Sequence, residues 1–229
     1  MTGAASGIGR AIAERLEVEG WGVHAVDVAD GDLTTRAGNR AVVDAALERF
    51  GRLDAVVANA GFQHVAPIRD FDEDRFDALV ALLLTSPFLL ARYAWDALAE
   101  SGDGRFLAVA SVHGLVASPF KAGYVAAKHG VIGLVRTIAL EGADAGIRAA
   151  ALCPGYVRTP LVEQQVAAQA AAHGVPVERA LEDVMLAPQA VKKLIEPEEV
   201  AEVAAFLLGP GGRSFTGVPV VLDNGWTAR

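Results

Sequence analysis

Tyr124 and Lys128 stand four residues apart in "SPFKAGYVAAKHG" (118–130), a stretch whose other members are mostly small, apolar or cationic. On a helix, positions i and i+4 share a face, so the phenol and the ammonium can meet. An ordinary tyrosine ionises near about pH 10 and is a poor base at neutral pH. A fixed cation beside it favours the phenolate, each unit of lowering representing about 1.4 kcal/mol of preference. Such a pair could move a proton to and from a substrate oxygen. Ser111 ends a preceding apolar run and could hydrogen-bond the same oxygen. Taken alone, Tyr-x-x-x-Lys also describes a solvated pair on an exposed helix.

A second group could hold an anion. "TGAASGIGRAIAERL" (2–16) sets Gly3, Gly7 and Gly9 ahead of an amphipathic helix. Glycines let the backbone approach a pyrophosphate, and the free N–H groups of a helix N-terminus favour it. Asp27 closes an apolar run 18 residues after Gly9, near the roughly 20-residue interval expected of an acid that binds a ribose 2'-hydroxyl. A carboxylate there repels a 2'-phosphate, which favours NAD over NADP.

These groups need elements to position them. Apolar, β-rich runs recur at 22–28, 53–61, 104–111, 147–155 and 217–225, each ending in a polar or glycine turn. Helix-like stretches lie between them at 8–19, 40–50, 72–101, 124–143 and 197–208. That alternation predicts an α/β fold, a doubly wound parallel sheet of Rossmann type, with ligands at the carboxyl ends of its strands. Residues 159–194, alanine- and glutamine-rich and broken by Gly174, Pro176 and Pro188, read as a small helical flap on a single domain spanning 1–229.

Composition narrows the function. The 229 residues are 52% hydrophobic and 21% charged, with a formal net charge of -8, which suits one sizeable core. Basic residues are scattered, so nucleic acid is not an expected partner. The single Cys153 excludes internal disulfides, points to a reducing, cytoplasmic setting, and leaves no cysteine metal site. The longest apolar run, 78–91, is shorter than the roughly 20 residues a bilayer requires, and no membrane association is expected.

Together these residues resemble the short-chain dehydrogenase/reductase family over nearly the whole chain. The likeness rests on "TGAASGIG", "NAG" (59–61), Ser111, Tyr124, Lys128, "PGYVRTP" (154–160) and "DNGW" (223–226). It implies Tyr124 as general acid/base, Lys128 lowering its pKa and holding the nicotinamide ribose, and Ser111 positioning the reacting C–O group. It also implies a coenzyme site of Gly3, Ser6, Gly7, Ile8 and Gly9, with Asp27, Asp32 and Leu33 toward the adenosine. Asn59, Ala60, Gly61, Pro154, Gly155, Val157 and Thr159 complete it, with Tyr124 and Lys128.

"GFQHVAPI", "SVHGLVASPFKAGYVAAKHG", "PGYVRTPLVEQQ" and "GWTA" are similar to the family's D-3-hydroxybutyrate dehydrogenase branch. That implies a small hydroxy-acid substrate whose carboxylate is held by Gln63, His113, Lys121 and Gln165, beside Ser111 and Tyr124. It also implies a homotetramer built through the long apolar helices. Another small hydroxy acid or alcohol, or a noncatalytic scaffold, remain the competing readings.

Two departures stand out. Leu83 occupies the place of the family's catalytic asparagine, although Pro87, which lacks an N–H, could free the Leu83 carbonyl for a water relay to Lys128. The first strand is absent ahead of Thr2, and about three residues separate the run ending near Asp27 from Asp32. A parallel crossover takes a dozen or more. Either residues are missing from the chain as given, or a strand and a helix are deleted.

Overall fold

The structure, a computed structural model, describes residues 1–228. Four parallel strands, β1 (Ala55–Ala58), β2 (Arg105–Val109), β3 (Arg148–Pro154) and β4 (Val218–Leu222), lie side by side in chain order. Every residue of β2 is buried, as expected for a strand covered on both faces. Alternate side chains divide the core. Val57, Leu107, Val109 and Leu152 pack with α1 (Gly7–Val18) and α8 (Pro197–Leu208). Val56, Phe106, Ala108 and Ala151 pack on the other face with α2 (Arg36–Phe50), α4 (Ser86–Glu100) and α5 (Ala122–Gly142).

Local chemistry sets the helix ends. The Thr35 hydroxyl accepts from Gly38 N at 3.0 Å to start α2, and Gly51, with φ of 68°, ends it. Thr159 caps α6 (Pro160–His173) by accepting from Val162 N at 3.3 Å, with Pro160 at its first turn and left-handed Gly174 at its end. A short α7 (Val177–Ala180) and one π-helical turn, Leu181–Met185, follow.

The expected strand at 22–28 does not form. It meets the sheet only where Thr2 bridges Val26, through Val26 N to Met1 O (2.9 Å) and Ala4 N to Val26 O (3.2 Å), while Thr2 N reaches Val57 O (3.1 Å). A strand exists by its ladder, and a single bridge is all that pairs this run among the described residues. From Asp27 the chain passes through a 3₁₀ turn, Val28–Asp30, and then into α2. No strand or α-helix lies between, in line with the short interval read from the sequence.

The long helix of 72–101 is α3 (Glu73–Val80), a π-helical turn at Ala81–Thr85, and α4. Taken whole, Glu73–Glu100 is long and apolar enough to cross a membrane by length and composition. This differs from the expectation drawn from the run 78–91 alone. Here it packs as a core helix, with Leu79, Leu83, Leu90, Ala94 and Leu98 buried.

Candidate active site

A cavity of about 520 Å³ opens at the carboxyl ends of the strands, where open α/β sheets bind their ligands. Its walls bring together every coenzyme, substrate and proton-transfer candidate named from the sequence, from Gly3 and Asp27 at one end to Gln63, Lys121, Tyr124 and Gln165 at the other.

At the first end the glycines are sterically required. A Cβ on Gly9 would collide with the Gly3 carbonyl, and one on Gly3, whose φ is 66°, would lie 2.8 Å from the Asn59 amide nitrogen and Ala60 Cα. Asn59 binds this loop, donating from Nδ2 to Gly3 O (2.9 Å) and Thr2 O (3.1 Å). The Asp27 carboxylate accepts from Ala5 N (2.9 Å) and Val28 N (2.7 Å), so the acid also holds the loop in place. A backbone cradle that admits no Cβ, opening a helix and flanked by an acid, fits a dinucleotide. Gly9→Ala is expected to cost about 1–3 kcal/mol through overpacking, seen as a Tm lowered by about 3–10 °C and as lost dinucleotide binding in a fluorescence titration.

At the other end, Ser111 caps a 3₁₀ turn, Val112–Gly114, its hydroxyl accepting from His113 N at 3.1 Å. Burial pushes the Tyr124 phenol up to about 12, and the neighbouring Ser111 hydroxyl draws it down less strongly. Burial pulls Lys128 down to about 8. Its Nζ donates to Val109 O at 2.7 Å and lies 5.5 Å from the Tyr124 ring. The expected lowering of the phenol by Lys128 is therefore overridden in the protein alone, because desolvation penalises both charged forms. At neutral pH the phenol keeps its proton.

Lys121 is 2% exposed, yet makes no ion pair among the described residues. Its ammonium donates to Tyr156 Oη (2.9 Å) and Gln165 Oε1 (3.2 Å), and burial lowers its pKa to about 8. His113 is pulled down to about 3 by burial and then by the charge of Lys121, so it is neutral and acts as a hydrogen-bonding ring, not a cation. Its Nε2 pairs with Ser118 Oγ at 3.0 Å, and its ring stands edge-on to Tyr124, Tyr156 and Trp226. Gln63 accepts from His64 N through Oε1. Leu83, buried, packs with Leu79, Ala127, Phe62 and Tyr124. Sequence reasoning missed Tyr156 and gave Trp226 no role, although both line the cavity. They sat within "PGYVRTP" and "DNGW", but nothing local showed that the two rings stack at 5.5 Å.

A phenol and a buried ammonium facing a glycine-cradled groove on a parallel sheet suit an oxidoreductase of the dinucleotide-binding kind. The chain belongs to the short-chain dehydrogenase/reductase family, whose dehydrogenases generally use a nicotinamide cofactor. The family profile described as enoyl-(acyl carrier protein) reductase matches residues 3–227. A D-beta-hydroxybutyrate dehydrogenase from Rhizobium meliloti (strain 1021) is 40% identical, the match covering 100% of this chain and 98% of the relative. Its namesake from Cupriavidus necator is 38% identical, covering 100% and 97%. The crystal structure of levodione reductase superposes with a TM-score of 0.90 at 33% identity, covering 99% of this chain and 96% of that one. The Rhizobium alignment runs to 252 positions against the 229 residues here. That relative therefore carries residues within the matched span that this chain lacks, in keeping with the short path from Asp27 to Asp32.

Proposed function

We propose that this protein interconverts (R)-3-hydroxybutyrate and acetoacetate with NAD. The observation that carries the reading is Lys121, a buried ammonium on the cavity wall with no carboxylate partner among the described residues. Keeping such a charge desolvated is costly unless an anion completes it. A short hydroxy acid supplies that anion a few bonds from its carbinol. Tyr124 exchanges the carbinol proton, Ser111 holds the same oxygen, and Lys128 binds the ribose beside them. A nicotinamide, held by the glycine loop and Lys128, would supply the hydride acceptor for the carbinol carbon and the donor in the reverse direction. Asp27 disfavours a 2'-phosphate, and residues 159–194, including α6 and α7, exclude water as a flap over the acid. The names of the two 3-hydroxybutyrate dehydrogenases support the choice of acid.

The test is absorbance at the reduced-nicotinamide band with (R)-3-hydroxybutyrate and either NAD or NADP. Turnover with NAD is expected. Activity confined to carboxylate-free alcohols, or to NADP, would defeat the reading. A homotetramer in the cytoplasm goes with it, supported by Phe76, Phe88 and Leu140, exposed on the long helices.

Leu83 calls for a relay without an asparagine side chain. In the π-helical turn Ser86 N bonds Ala81 O, so the Leu82 carbonyl loses its usual donor, and Pro87 offers none to Leu83. Both residues line the cavity, and their carbonyls could hold a water toward Lys128. Leu83→Asn is expected to change kcat by less than about tenfold, short of the roughly 10²–10⁴-fold that one general acid–base contact supplies, and to lower Tm because an amide enters an apolar cluster. A gain of several orders of magnitude would show that backbone carbonyls do not suffice.

A further inference from the structure

Four residues were expected to grip the substrate carboxylate, and the structure has already engaged parts of all four. Gln165 is engaged at both ends, Oε1 accepting from Lys121 and Nε2 donating to Leu161 O at 2.9 Å. His113 is neutral, with Nε2 on Ser118 and Nδ1 3.4 Å from Ser111 Oγ. Gln63 keeps only its Nε2 free, since Oε1 accepts from His64 N. Lys121 spends two of its three Nζ hydrogens on Tyr156 and Gln165. The third ammonium hydrogen and the amide hydrogens of Gln63 therefore remain for a ligand with two charged oxygens.

Tyr156 supplies a further donor directly beside the ammonium. Its Oη accepts from Lys121 Nζ at 2.9 Å, and its own O–H meets no acceptor among the described residues. The ring is fixed, stacked on Trp226 and edge-on to His113, with the Lys121 ammonium 4.9 Å from its centroid. Tyr156 is nearly buried and lines the same cavity as Tyr124. Burial and the neighbouring Tyr124 both raise its pKa, so the hydroxyl stays protonated and remains a donor.

We propose that Tyr156 is a substrate-binding residue, its hydroxyl proton and the third Nζ hydrogen of Lys121 taking the two oxygens of one carboxylate. This rests on the reading of the site as one for a hydroxy acid. Hydrogen bonds to a charged group are roughly twice as strong as neutral ones, and an amide or ester cannot use both donors as an anion does.

Tyr156→Phe removes the donor and keeps the stacked ring, so the fold should hold, as a Tm measurement would show. The KM for (R)-3-hydroxybutyrate is expected to rise about tenfold to hundredfold, with kcat altered less than about threefold. The preference for the acid over its methyl ester, as a ratio of kcat/KM, should fall at least about tenfold. An unchanged KM, or an equal loss for acid and ester, would overturn the assignment. If the unaltered protein turns over no 3-hydroxybutyrate, the functional reading falls and the carboxylate receptor is tested alone. Acetate would then be titrated against tryptophan fluorescence. Quenching weakened about tenfold or more in Tyr156→Phe upholds the receptor, whereas equal quenching in both proteins, or none in the unaltered one, refutes it.

Discussion

Tyr124→Phe is expected to lower kcat for (R)-3-hydroxybutyrate by about three orders of magnitude, within the range typical of losing a general acid–base, with little change in KM. The phenol is the group beside Ser111 that can carry the proton, and a phenylalanine ring fills the same space without it. Because burial holds the phenol up at about 12, its proton-donating form dominates at neutral pH. Reduction of the ketone therefore finds the acid ready, while oxidation depends on a scarce base and should accelerate as pH rises from 7 to 9. Steady-state rates of both directions at those two pH values provide the check. A phenylalanine variant that keeps more than about a tenth of the turnover would remove Tyr124 from the chemistry.

Lys121→Met is expected to act in opposite directions on activity and stability. Removing the charge that meets the carboxylate should lower kcat/KM for the acid by about a hundredfold or more, since truncating one member of a buried charged contact costs about 2–5 kcal/mol. The fold should gain. The folded pKa of about 8 lies below the ordinary lysine value of 10.5, so below pH 8 both states carry the proton and the full penalty applies, on the order of 3 kcal/mol. As pH rises from 8 toward 10.5 the folded state sheds its proton first, and the penalty fades. The methionine variant should therefore melt higher at pH 7, with the advantage shrinking toward pH 10. Over the same window the unaltered protein should lose affinity for the acid, as the ammonium that binds it is neutralised. Calorimetry at pH 7 and pH 10, alongside KM across pH 7–9, tests both halves. An unaltered Tm at pH 7 would show that Lys121 is better compensated than its two hydrogen bonds indicate.

Much of this site was legible in the sequence, because its key relations are local. Gly3, Gly7 and Gly9 announce a close backbone approach, and Tyr124 with Lys128 share a face through helical spacing alone. The gap between Asp27 and Asp32 was equally plain, since a crossover has a minimum length. What stayed hidden depends on residues distant in the chain. The link from Lys121 to Tyr156 spans 35 positions, and the neutrality of His113 comes from burial among rings of three separate segments. The run at 22–28 misled for a related reason. Its composition suits a strand, but a strand also requires a neighbour along its length. Pro87 hinted at irregular hydrogen bonding, yet the π-helical turn begins six residues before it, where nothing in the letters marks it.

That turn has a consequence for how this helix can change. Each residue advances an α-helix by about 100°, and a wider turn accommodates one surplus residue without breaking the rod. Deleting a single residue between Ala81 and Thr85 would therefore convert Glu73–Glu100 into an uninterrupted α-helix. The two halves would keep their mutual orientation, because the surplus residue is what the wide turn absorbs, so Leu79 would stay in line with the cluster it shares with Tyr124. The chain is thus one excision away from a smoother helix that keeps its packing face but closes a carbonyl the wide turn leaves open beside the cavity.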